Sequence, residues 1–133
     1  MRTSAVYSHR QELDHEELQQ LFQRAWGSRK CDFRPVLARS FTWIAAHVDG
    51  ALIGFVNVAW DGGVHFFLLD TTVDPDWQRR GIGARLVQEA IADCRGAGEW
   101  LHVDSDDELM ELFYRRCGFG SVPAGLLSVR AGS

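Results

Sequence analysis

Several features that would direct this chain to a special environment are missing. Its three cysteines, Cys31, Cys94 and Cys117, are odd in number and widely spaced, so they form no disulfide framework, metal-ligand spacing or redox pair. No stretch approaches the ~20 apolar residues of a membrane span, and the N-terminus lacks the apolar region of a signal peptide. We therefore expect a protein of the reducing cytoplasm that has no membrane partner and no bound metal.

An excess of basic residues is also missing. The chain has 14 Lys and Arg against 18 Asp and Glu, for a net charge of -4, and its pI is about 5.7. The longest basic runs, Gln78–Arg80 and Tyr114–Arg116, are short, so we expect no nucleic-acid partner. No linker, repeat or low-complexity tract divides the 133 residues, of which 46% are hydrophobic. This composition predicts a single domain over residues 1–133 with a substantial core.

Apolar periodicity and turn signals predict an alternation of strands and helices. Asp49-Gly50 is a strong two-residue hairpin signal. The predicted elements, in chain order, are strand 3–8, helices Glu12–Trp26 and Arg34–Arg39, strands Phe41–Val48, Leu52–Trp60 and Val64–Val73, helix 82–96, strand Trp100–Asp104, helix Asp106–Cys117, and closing strands Ser121–Val122 and Leu126–Arg130. This order predicts an α/β (α+β) fold, with a mixed sheet covered by helices on both faces.

The most informative segment is Gln78–Ala84, where a strand ending at Val73 gives way to an amphipathic helix. Its glycines let backbone N–H groups approach a ligand closely in the first helical turn, where an anion is favoured, and its arginines add positive charge. A dinucleotide fingerprint would need a third glycine where Leu86 stands, and the Gly-Lys-Ser/Thr of a phosphate loop is absent. The segment therefore predicts a phosphate cradle, the simpler alternative being a tight turn with close helix–sheet packing.

The strand end Thr71–Val73, the turn Asp74–Trp77 and Gln78–Gly83 form one motif, and Leu112–Phe119 forms a second one downstream. These two motifs resemble signatures of the GNAT superfamily of N-acetyltransferases. The first resembles its acetyl-CoA motif, usually Gln/Arg-x-x-Gly-x-Gly/Ala, and the second resembles its signature of a Tyr on a late helix followed by Gly-Phe. The resemblance implies the GNAT fold: a central mixed, mostly antiparallel twisted sheet of six to seven strands, with about four helices on both faces.

The resemblance also implies an activity, the transfer of the acetyl group of acetyl-CoA to a primary amine of a small molecule or a protein N-terminus by direct attack in a ternary complex. The pantetheine arm would lie beside the strand end like an added strand, and main-chain N–H groups would wrap the pyrophosphate. One strand N–H would polarise the thioester carbonyl. The donor-binding residues implied are Thr71, Thr72, Val73, Gln78, Arg79, Arg80, Gly81, Ile82, Gly83, Ala84 and Asp107.

Asp107 departs from the family pattern, because many members have an Asn at the matching place that contacts the CoA arm. Ser105 or Asp106 would make a good helix N-cap, and acidic residues suit the first turn of a helix. Capping is therefore the simpler explanation of this acidic run, and the missing Asn weakens the expectation of that contact.

Tyr114 is the candidate general acid. In many family members the matching phenol protonates the leaving thiolate, and the alternative is a core aromatic beside Phe113. The general base has three candidates, His102, Asp70 and His65, with solvent or a water chain as a fourth. His102 lies on the strand where some related acetyltransferases carry a carboxylate base, and an imidazole titrates near ~6.5. Asp70 lies in an apolar strand, where a carboxylate is costly unless it is paired or used.

The acceptor amine is the least defined part of the predicted function. The segment Gly27–Arg39 contains Arg29, Lys30, Asp32, Phe33 and Arg34, and substrate identity is expected there. Phe33, Trp43, Trp60 and Phe66 are candidates for an acceptor pocket, although aromatics in a meander are more often core. Short closing strands would leave an edge that allows a homodimer. The alternative to an enzyme is a non-catalytic acyl-CoA-binding or regulatory module with the same fold.

Overall fold

The computed structural model describes residues 4–28 and 32–132, and the chain divides into two compact units, Met1–Val103 and Asp104–Ser133. In the described part of the first unit lie the strands β1 (Val6–His9), β2 (Ser40–Val48), β3 (Ala51–Trp60), β4 (His65–Val73) and β5 (Trp100–Val103). The helices there are α1 (His15–Trp26), α2 (Arg34–Arg39) and α3 (Ile82–Cys94), with a 3-10 turn at Pro75–Trp77 between β4 and α3. The predicted order of elements is confirmed throughout this unit.

The five strands form one sheet in the order β1-β2-β3-β4-β5, counted over the described residues. The pairings from β1 to β4 are antiparallel, and β4 pairs with β5 in parallel. The mixed sheet is therefore confirmed. At the hairpin between β2 and β3, Asp49 and Gly50 have φ angles of 49° and 82°, as a primed two-residue turn requires.

The sheet has five strands in the described residues, so the expectation of six to seven is wrong. The predicted closing strands Ser121–Val122 and Leu126–Arg130 are not strands in the structure. Leu126 and Val129 are 93% and 90% exposed. A strand is stable only when its backbone pairs with a neighbour and one face is buried, and this segment buries neither side chain.

Adjacent residues of β3 show how the two faces of the sheet are covered. An added Cβ at Gly54 would lie 3.1 Å from Leu86 Cδ1 and 3.2 Å from Ile82 Cγ2, so this face packs closely on α3. The ring of the next residue, Phe55, lies 6.1 Å from that of Phe22 in α1 on the opposite face. Buried side chains from α1, α2 and the sheet complete the core on this face, among them Leu18, Leu21, Phe33, Leu37, Ala45 and Leu52. Helices thus cover both faces of the first unit.

Local capping sets the ends of α1. The Asp14 carboxylate accepts a hydrogen bond from the Glu17 N–H at 3.0 Å, so the helix begins at His15 instead of the predicted Glu12. Gly27 ends the helix with a φ of 79°, in the left-handed region. Within the segment that follows, Arg29, Lys30 and Cys31 lie outside the described residues.

The second unit begins with a short helix, α4 (Asp107–Leu109), which continues as a π-helical turn at Met110–Tyr114. The Asp106 carboxylate accepts a hydrogen bond from the Leu109 N–H at 2.7 Å and caps α4. The predicted helix is therefore confirmed in place, with a shorter α-helical part. None of the helices in the described ranges is long and apolar enough to cross a membrane.

Two of the three cysteines lie in the described residues, and both are buried. Burial raises the pKa of the Cys94 thiol to about 11, and it also raises the pKa of Cys117. Because the thiolate is the nucleophile, neither group suits covalent chemistry near neutral pH. Cys94 instead packs on the inner face of α3, as a small apolar side chain does.

Candidate functional site

A bulge in β4 is the main irregularity of the sheet near the predicted donor site. Phe55 pairs with Thr72 and Asn57 pairs with Leu69, so β4 has one residue more than β3 between these two pairs. Asp70 lies in this bulge, and its backbone φ is 59°. The left-handed region is uncommon for residues other than glycine, and Asp is among those that tolerate it. The bulge therefore changes the course of β4 just before Thr71–Val73.

Two buried polar residues hold this bulge. In the amide orientation that satisfies its neighbours, Asn57 Nδ2 donates to Asp70 Oδ2 at 3.2 Å and to the Leu69 carbonyl at 3.1 Å. The Thr72 hydroxyl donates to the Asp70 carbonyl at 3.0 Å and accepts from Trp26 Nε1 at 3.1 Å. Asn57 and Thr72 are each only 1% exposed. The polar groups of Asp70 are thus engaged from both sides by the sheet itself.

β4 runs on past the end of β5. The last parallel pair is Leu68 with Val103, whereas β4 continues for five more residues to Val73. Thr71 and Val73 are half-buried there, and the side chain of Thr72 is turned into the core. Thr71–Val73 therefore lies beyond the part of β4 that pairs with β5.

The glycine turn connects β4 to α3 through two residues in the left-handed region. Arg79 has a φ of 63° and Gly81 has a φ of 82°. Gly81 is the N-cap of α3, which has no side-chain cap and no acidic residue in its first turn. The N–H groups of Ile82, Gly83 and Ala84 therefore have neither an intrahelical partner nor a capping side chain. Such a helix N-terminus is suited to binding an anion.

Two polar side chains of the motif, Gln78 and Arg80, have partners of their own. Gln78 Nε2 donates to the Val73 carbonyl at 3.2 Å, which fixes the turn against the end of β4. The Arg80 guanidinium lies 4.7 Å from the ring centre of Trp77. Ile82 is buried at 5% exposure and contacts the sheet, so its contribution to a ligand is through the backbone alone.

Two histidines meet on the β4–β5 pair. His65 Nδ1 and His102 Nε2 lie 2.8 Å apart, and the His102 ring stacks on Phe67 at a centroid distance of 4.8 Å. Phe67 and Trp100, on the same face of the sheet, are 40% and 63% exposed. The described residues contain no cluster of three or more His, Cys, Asp or Glu side chains that could hold a metal ion. The pair is therefore an accessible imidazole dyad with an aromatic side chain beneath it.

Tyr114 and Asp107 belong to the second unit, and the neighbours described for each of them lie in that unit. Tyr114 is 6% exposed, and its ring makes edge-to-face contacts with Phe113 at 4.9 Å and Phe119 at 5.6 Å. Its carbonyl accepts a hydrogen bond from the Phe119 N–H at 3.1 Å. Asp107 is exposed at the start of α4, beside the N-cap Asp106. The capping explanation of the acidic run is confirmed for Asp106.

Two of the four aromatics proposed for an acceptor pocket belong to the core. Phe33 is 3% exposed and Phe66 is 1% exposed. Trp60 stacks on Phe66 at 5.6 Å and donates from Nε1 to the Gly63 carbonyl at 2.8 Å. Trp43 lies apart from them on the face of the sheet that α1 and α2 cover, and its Nε1 donates to the Gln11 carbonyl at 2.9 Å. Trp43 also lines a groove.

That groove has a volume of about 330 Å³ and is open to solvent. Its charged and titratable lining consists of Arg10, Glu12, His15 and Arg34, and its apolar lining consists of Leu13, Leu37, Ala38 and Trp43. Arg34 is paired with Asp32 at 2.9 Å, and this ion pair lowers the pKa of the Asp32 carboxyl. Arg34, Leu37 and Ala38 are the residues that the described part of segment Gly27–Arg39 contributes to this groove.

Sequence reasoning overlooked Asn57. It is a lone amide in the strand sequence Ala-Leu-Ile-Gly-Phe-Val-Asn-Val-Ala-Trp, and it is buried. A polar side chain inside such an apolar run signals a specific partner, because burial without one is costly. That signal was available in the sequence. Its partner Asp70 lies on a different strand, so the pairing itself was not.

Comparison with known proteins identifies the family and the fold. Residues 5–119 match the sequence model of the acetyltransferase (GNAT) family. A GNAT-family acetyltransferase from Streptococcus pneumoniae superposes with a TM-score of 0.81 at 21% identity, covering 96% of this chain and 98% of that one. An aminoglycoside N-acetyltransferase in complex with CoA superposes with a TM-score of 0.76 at 17% identity, covering 98% and 97%. At these identities the structures show a shared fold.

Two curated relatives match over 83 residues, which is 60% of this chain. The N-alpha-acetyltransferase RimI of Mycobacterium tuberculosis is 32% identical there, and the match spans 52% of its length. A mycothiol acetyltransferase of Nocardiopsis dassonvillei is 35% identical, and the match spans 23% of its length. The chain therefore aligns with about half of the first relative and about a quarter of the second.

Proposed function

Because this chain belongs to the GNAT acetyltransferase family, we propose that it transfers the acetyl group of acetyl-CoA to a primary amine of a small molecule or a protein N-terminus, by direct attack in a ternary complex. The observation that carries the proposal is the connection from β4 to α3. An extended strand end past Val103 leads through the glycine turn at Gly81 to a helix N-terminus without a side-chain cap. This arrangement suits a ligand that combines an extended amide arm with a pyrophosphate.

The donor fits the residues present. Main-chain N–H groups of Ile82, Gly83 and Ala84 would bind the pyrophosphate, assisted by the charge of Arg79 and Arg80. The backbone of Thr71–Val73 would bind the pantetheine arm, and one of its N–H groups would polarise the thioester carbonyl. Asp107 stays a proposed contact from the family motif.

The reaction requires two proton transfers in addition to acyl transfer. As the new C–N bond forms and the C–S bond breaks, one proton leaves the amine nitrogen and one is delivered to the thiolate of CoA. We propose His102 as the group that accepts the amine proton, since it is exposed on the edge strand β5. We assign Asp70 to maintaining the bulge, since the Asn57 amide binds its carboxylate.

Tyr114 is proposed to protonate the leaving thiolate. The support is the family signature, in which the matching phenol has this role, together with a ring held between Phe113 and Phe119. The family match over residues 5–119 runs across the boundary between the two units at Val103, which supports the proposal that one acetyltransferase domain includes both.

The two curated relatives favour different acceptors. The similarity to RimI, named as an N-alpha-acetyltransferase, favours a protein N-terminus, and the similarity to a mycothiol acetyltransferase favours a small molecule. Both are retained as acceptor classes. A cytoplasmic location and a homodimer stay predictions from the sequence.

The second candidate function is a non-catalytic acyl-CoA-binding or regulatory module. It would keep the glycine turn and the strand end but transfer no acetyl group. The observation that favours it is the hydrogen bond from the Asn57 amide to the Asp70 carboxylate, which gives this candidate base a structural role instead. The two functions share donor binding and differ in turnover.

A thermal shift followed by an amine panel separates the two. Acetyl-CoA at 100 times its Kd should raise the free energy of unfolding by about 2.7 kcal/mol, and no shift at saturation would contradict both functions. CoA thiol release is then measured with N-terminal peptides, an aminoglycoside and other small primary amines. Release that depends on one of these amines supports the enzyme, and binding without release for any of them supports the module.

A further inference from the structure

The contact between His65 and His102 joins two strands that are far apart in the sequence. His65 begins β4 and His102 lies in β5, and the parallel register places His65 opposite Trp100 and Phe67 opposite His102. The ring centroids of the two histidines are 5.0 Å apart with an interplanar angle of 40°. At 2.8 Å, Nδ1 of His65 and Nε2 of His102 share one hydrogen, since two neutral imidazoles form one hydrogen bond between them.

The direction of this hydrogen bond decides what His102 can do. If His65 Nδ1–H donated, His102 Nε2 would be the acceptor and His102 Nδ1 would carry the ring proton, so neither nitrogen would have a lone pair to offer. If His102 Nε2–H donates, His102 Nδ1 has a free lone pair and can accept a proton from an amine. Only the second arrangement is compatible with a general base.

We propose that His65 is a positioning residue that holds His102 in its Nε2–H tautomer, so that His102 Nδ1 is the atom that accepts the proton of the acceptor amine. This inference rests on the proposed acetyltransferase function. When Nδ1 takes up the amine proton, the positive charge spreads over the ring of His102, and the Nε2–H donor to His65 becomes stronger. The roles match those of a base and its orienting partner in other acyl-transfer sites, with a neutral imidazole as the partner.

Contacts with Phe67 and Asp61 hold the two histidines in place. The ring of Phe67 lies against His102 at an interplanar angle of 17°, which fixes the plane of the imidazole. The Asp61 carboxylate accepts hydrogen bonds from the backbone N–H groups of Gly63, at 2.7 Å, and His65, at 3.3 Å, and these donors lower the pKa of Asp61. Glu99 and Asp104 are the charged residues that border β5 in the sequence.

The variants that test this role differ only in what they present to His102. His65→Asn places an amide oxygen near the position of Nδ1, so it can still accept from His102 Nε2–H, whereas His65→Leu cannot. We expect His65→Leu to lower kcat about 10- to 100-fold, a part of the ~10²–10⁴ that general acid–base catalysis supplies. The KM for acetyl-CoA should be unchanged. His65→Asn should stay within about 3-fold of wild type, and His47→Leu on β2 is the matched control for loss of an imidazole.

The dependence of kcat/KM on pH separates a positioning role of His65 from a purely structural one, because loss of a structural contact alone would not change it. We expect the acidic limb of kcat/KM to shift in His65→Leu and to stay in place in His65→Asn. A wild-type rate and profile in His65→Leu would overturn the inference while leaving the proposed function intact. Equal losses in His65→Asn and His65→Leu would also overturn it, because an accepting oxygen would then not replace Nδ1.

The tautomer of His102 can also be observed directly by NMR, without measuring activity. Long-range proton–nitrogen correlation spectra of the full chain, at a pH where both rings are neutral, should show His102 protonated at Nε2 and His65 unprotonated at Nδ1. A proton on His102 Nδ1 would overturn the inference whatever the activity. If wild-type protein releases no CoA thiol with any amine, the proposed function fails, and the catalytic role of His65 fails with it.

Discussion

The side-chain amide of Asn57 and the carboxylate of Asp70 lie 3.2 Å apart across β3 and β4, at the point where β4 bulges. This contact joins a fully buried donor to a residue whose backbone is in the left-handed region. It explains why the sequence has a polar residue in each of two apolar strands. The two residues together direct the strand end that leads to the glycine turn.

Replacing Asn57 by leucine should destabilise the protein. The change removes the donor to Asp70 and to the Leu69 carbonyl, so we expect the free energy of unfolding to fall by about 1–3 kcal/mol. Urea denaturation measures it. Ser40→Ala is the control, because it removes the hydroxyl contacts to Asn57 at 3.3 Å and to the Val36 carbonyl at 2.8 Å and keeps the contact between Asn57 and Asp70. If Asn57→Leu were as stable as wild type, this contact would not hold the bulge.

Asp70→Asn should keep both the fold and most of the activity. Asn tolerates the left-handed region, and its side-chain oxygen can accept from the Asn57 amide. We expect acetyl transfer within about 3-fold of wild type, against a loss of roughly 10²–10⁴ for His102→Gln, since His102 is the base that we propose. Circular dichroism establishes that both variants are folded. A folded Asp70→Asn with a hundredfold loss would make Asp70 the base instead.

Gly81→Ala should cost more free energy of acetyl-CoA binding than free energy of unfolding. An added Cβ would meet nothing within 4 Å of Gly81, so the cost within the protein comes from the φ of 82° and amounts to about 1–2 kcal/mol. The matched control is Gly50→Ala, which has the same φ and the same open space in the β2–β3 hairpin. Calorimetric titration should show a higher Kd for acetyl-CoA in Gly81→Ala alone. Equal Kd values in the two variants would mean that the turn does not bind the pyrophosphate.

Tyr114→Phe should lower kcat by about 10²–10⁴ without unfolding the protein, because it removes only the proposed proton donor and keeps the ring between its aromatic neighbours. The chain has two tyrosines, and Tyr7→Phe is the matched control. Thiol release under saturating substrates gives kcat for both. Turnover at the wild-type rate in Tyr114→Phe would remove this residue from the mechanism.

His9 should stabilise the fold at acidic pH and lose that effect as the pH rises. Hydrogen bonds to Asp93 at 2.8 Å and to Glu89 at 3.1 Å raise its pKa, and Arg85 also faces this cluster through Glu89. A pKa raised on folding means that the stabilisation is complete below the unfolded value, near ~6.5, and is lost as the pH rises through the folded value.

The test is the pH dependence of the His9→Gln penalty. Because His9 is 37% exposed, the effect should not exceed about 1 kcal/mol. Denaturation at pH 5.5 and pH 8.5 should show the larger penalty at pH 5.5. A penalty that is equal at both values would show that the charge on His9 contributes nothing.

The elements that the sequence predicts well are those that local signals define. Gly81 and the apolar spacing after it locate the start of α3 at Ile82, and Asp49-Gly50 locates the hairpin. Each of these depends on residues within a few positions of one another. A local signal also explains why α1 is shorter than predicted. Asp14 caps the helix, so it begins at His15, three residues after the start that periodicity predicts.

Features that depend on pairing between distant segments were not predictable in this way. The bulge at Asp70 requires Asn57 from another strand, and the histidine dyad requires the parallel register of β4 and β5. The closing strand Leu126–Arg130 has the right residue types but no partner strand in the described residues, so its prediction failed. β-propensity describes how a side chain fits a neighbouring strand, and it cannot supply that neighbour.

The central claim is that acetyl groups pass from CoA to an amine on this chain. The most direct test is mass spectrometry of both products after incubation of the protein with acetyl-CoA and each amine of the panel. The account predicts one free CoA thiol for each acetylated amine, and formation of both products should depend on His102 and Tyr114. Thiol release without an acetylated amine, or neither product with any amine, would contradict it.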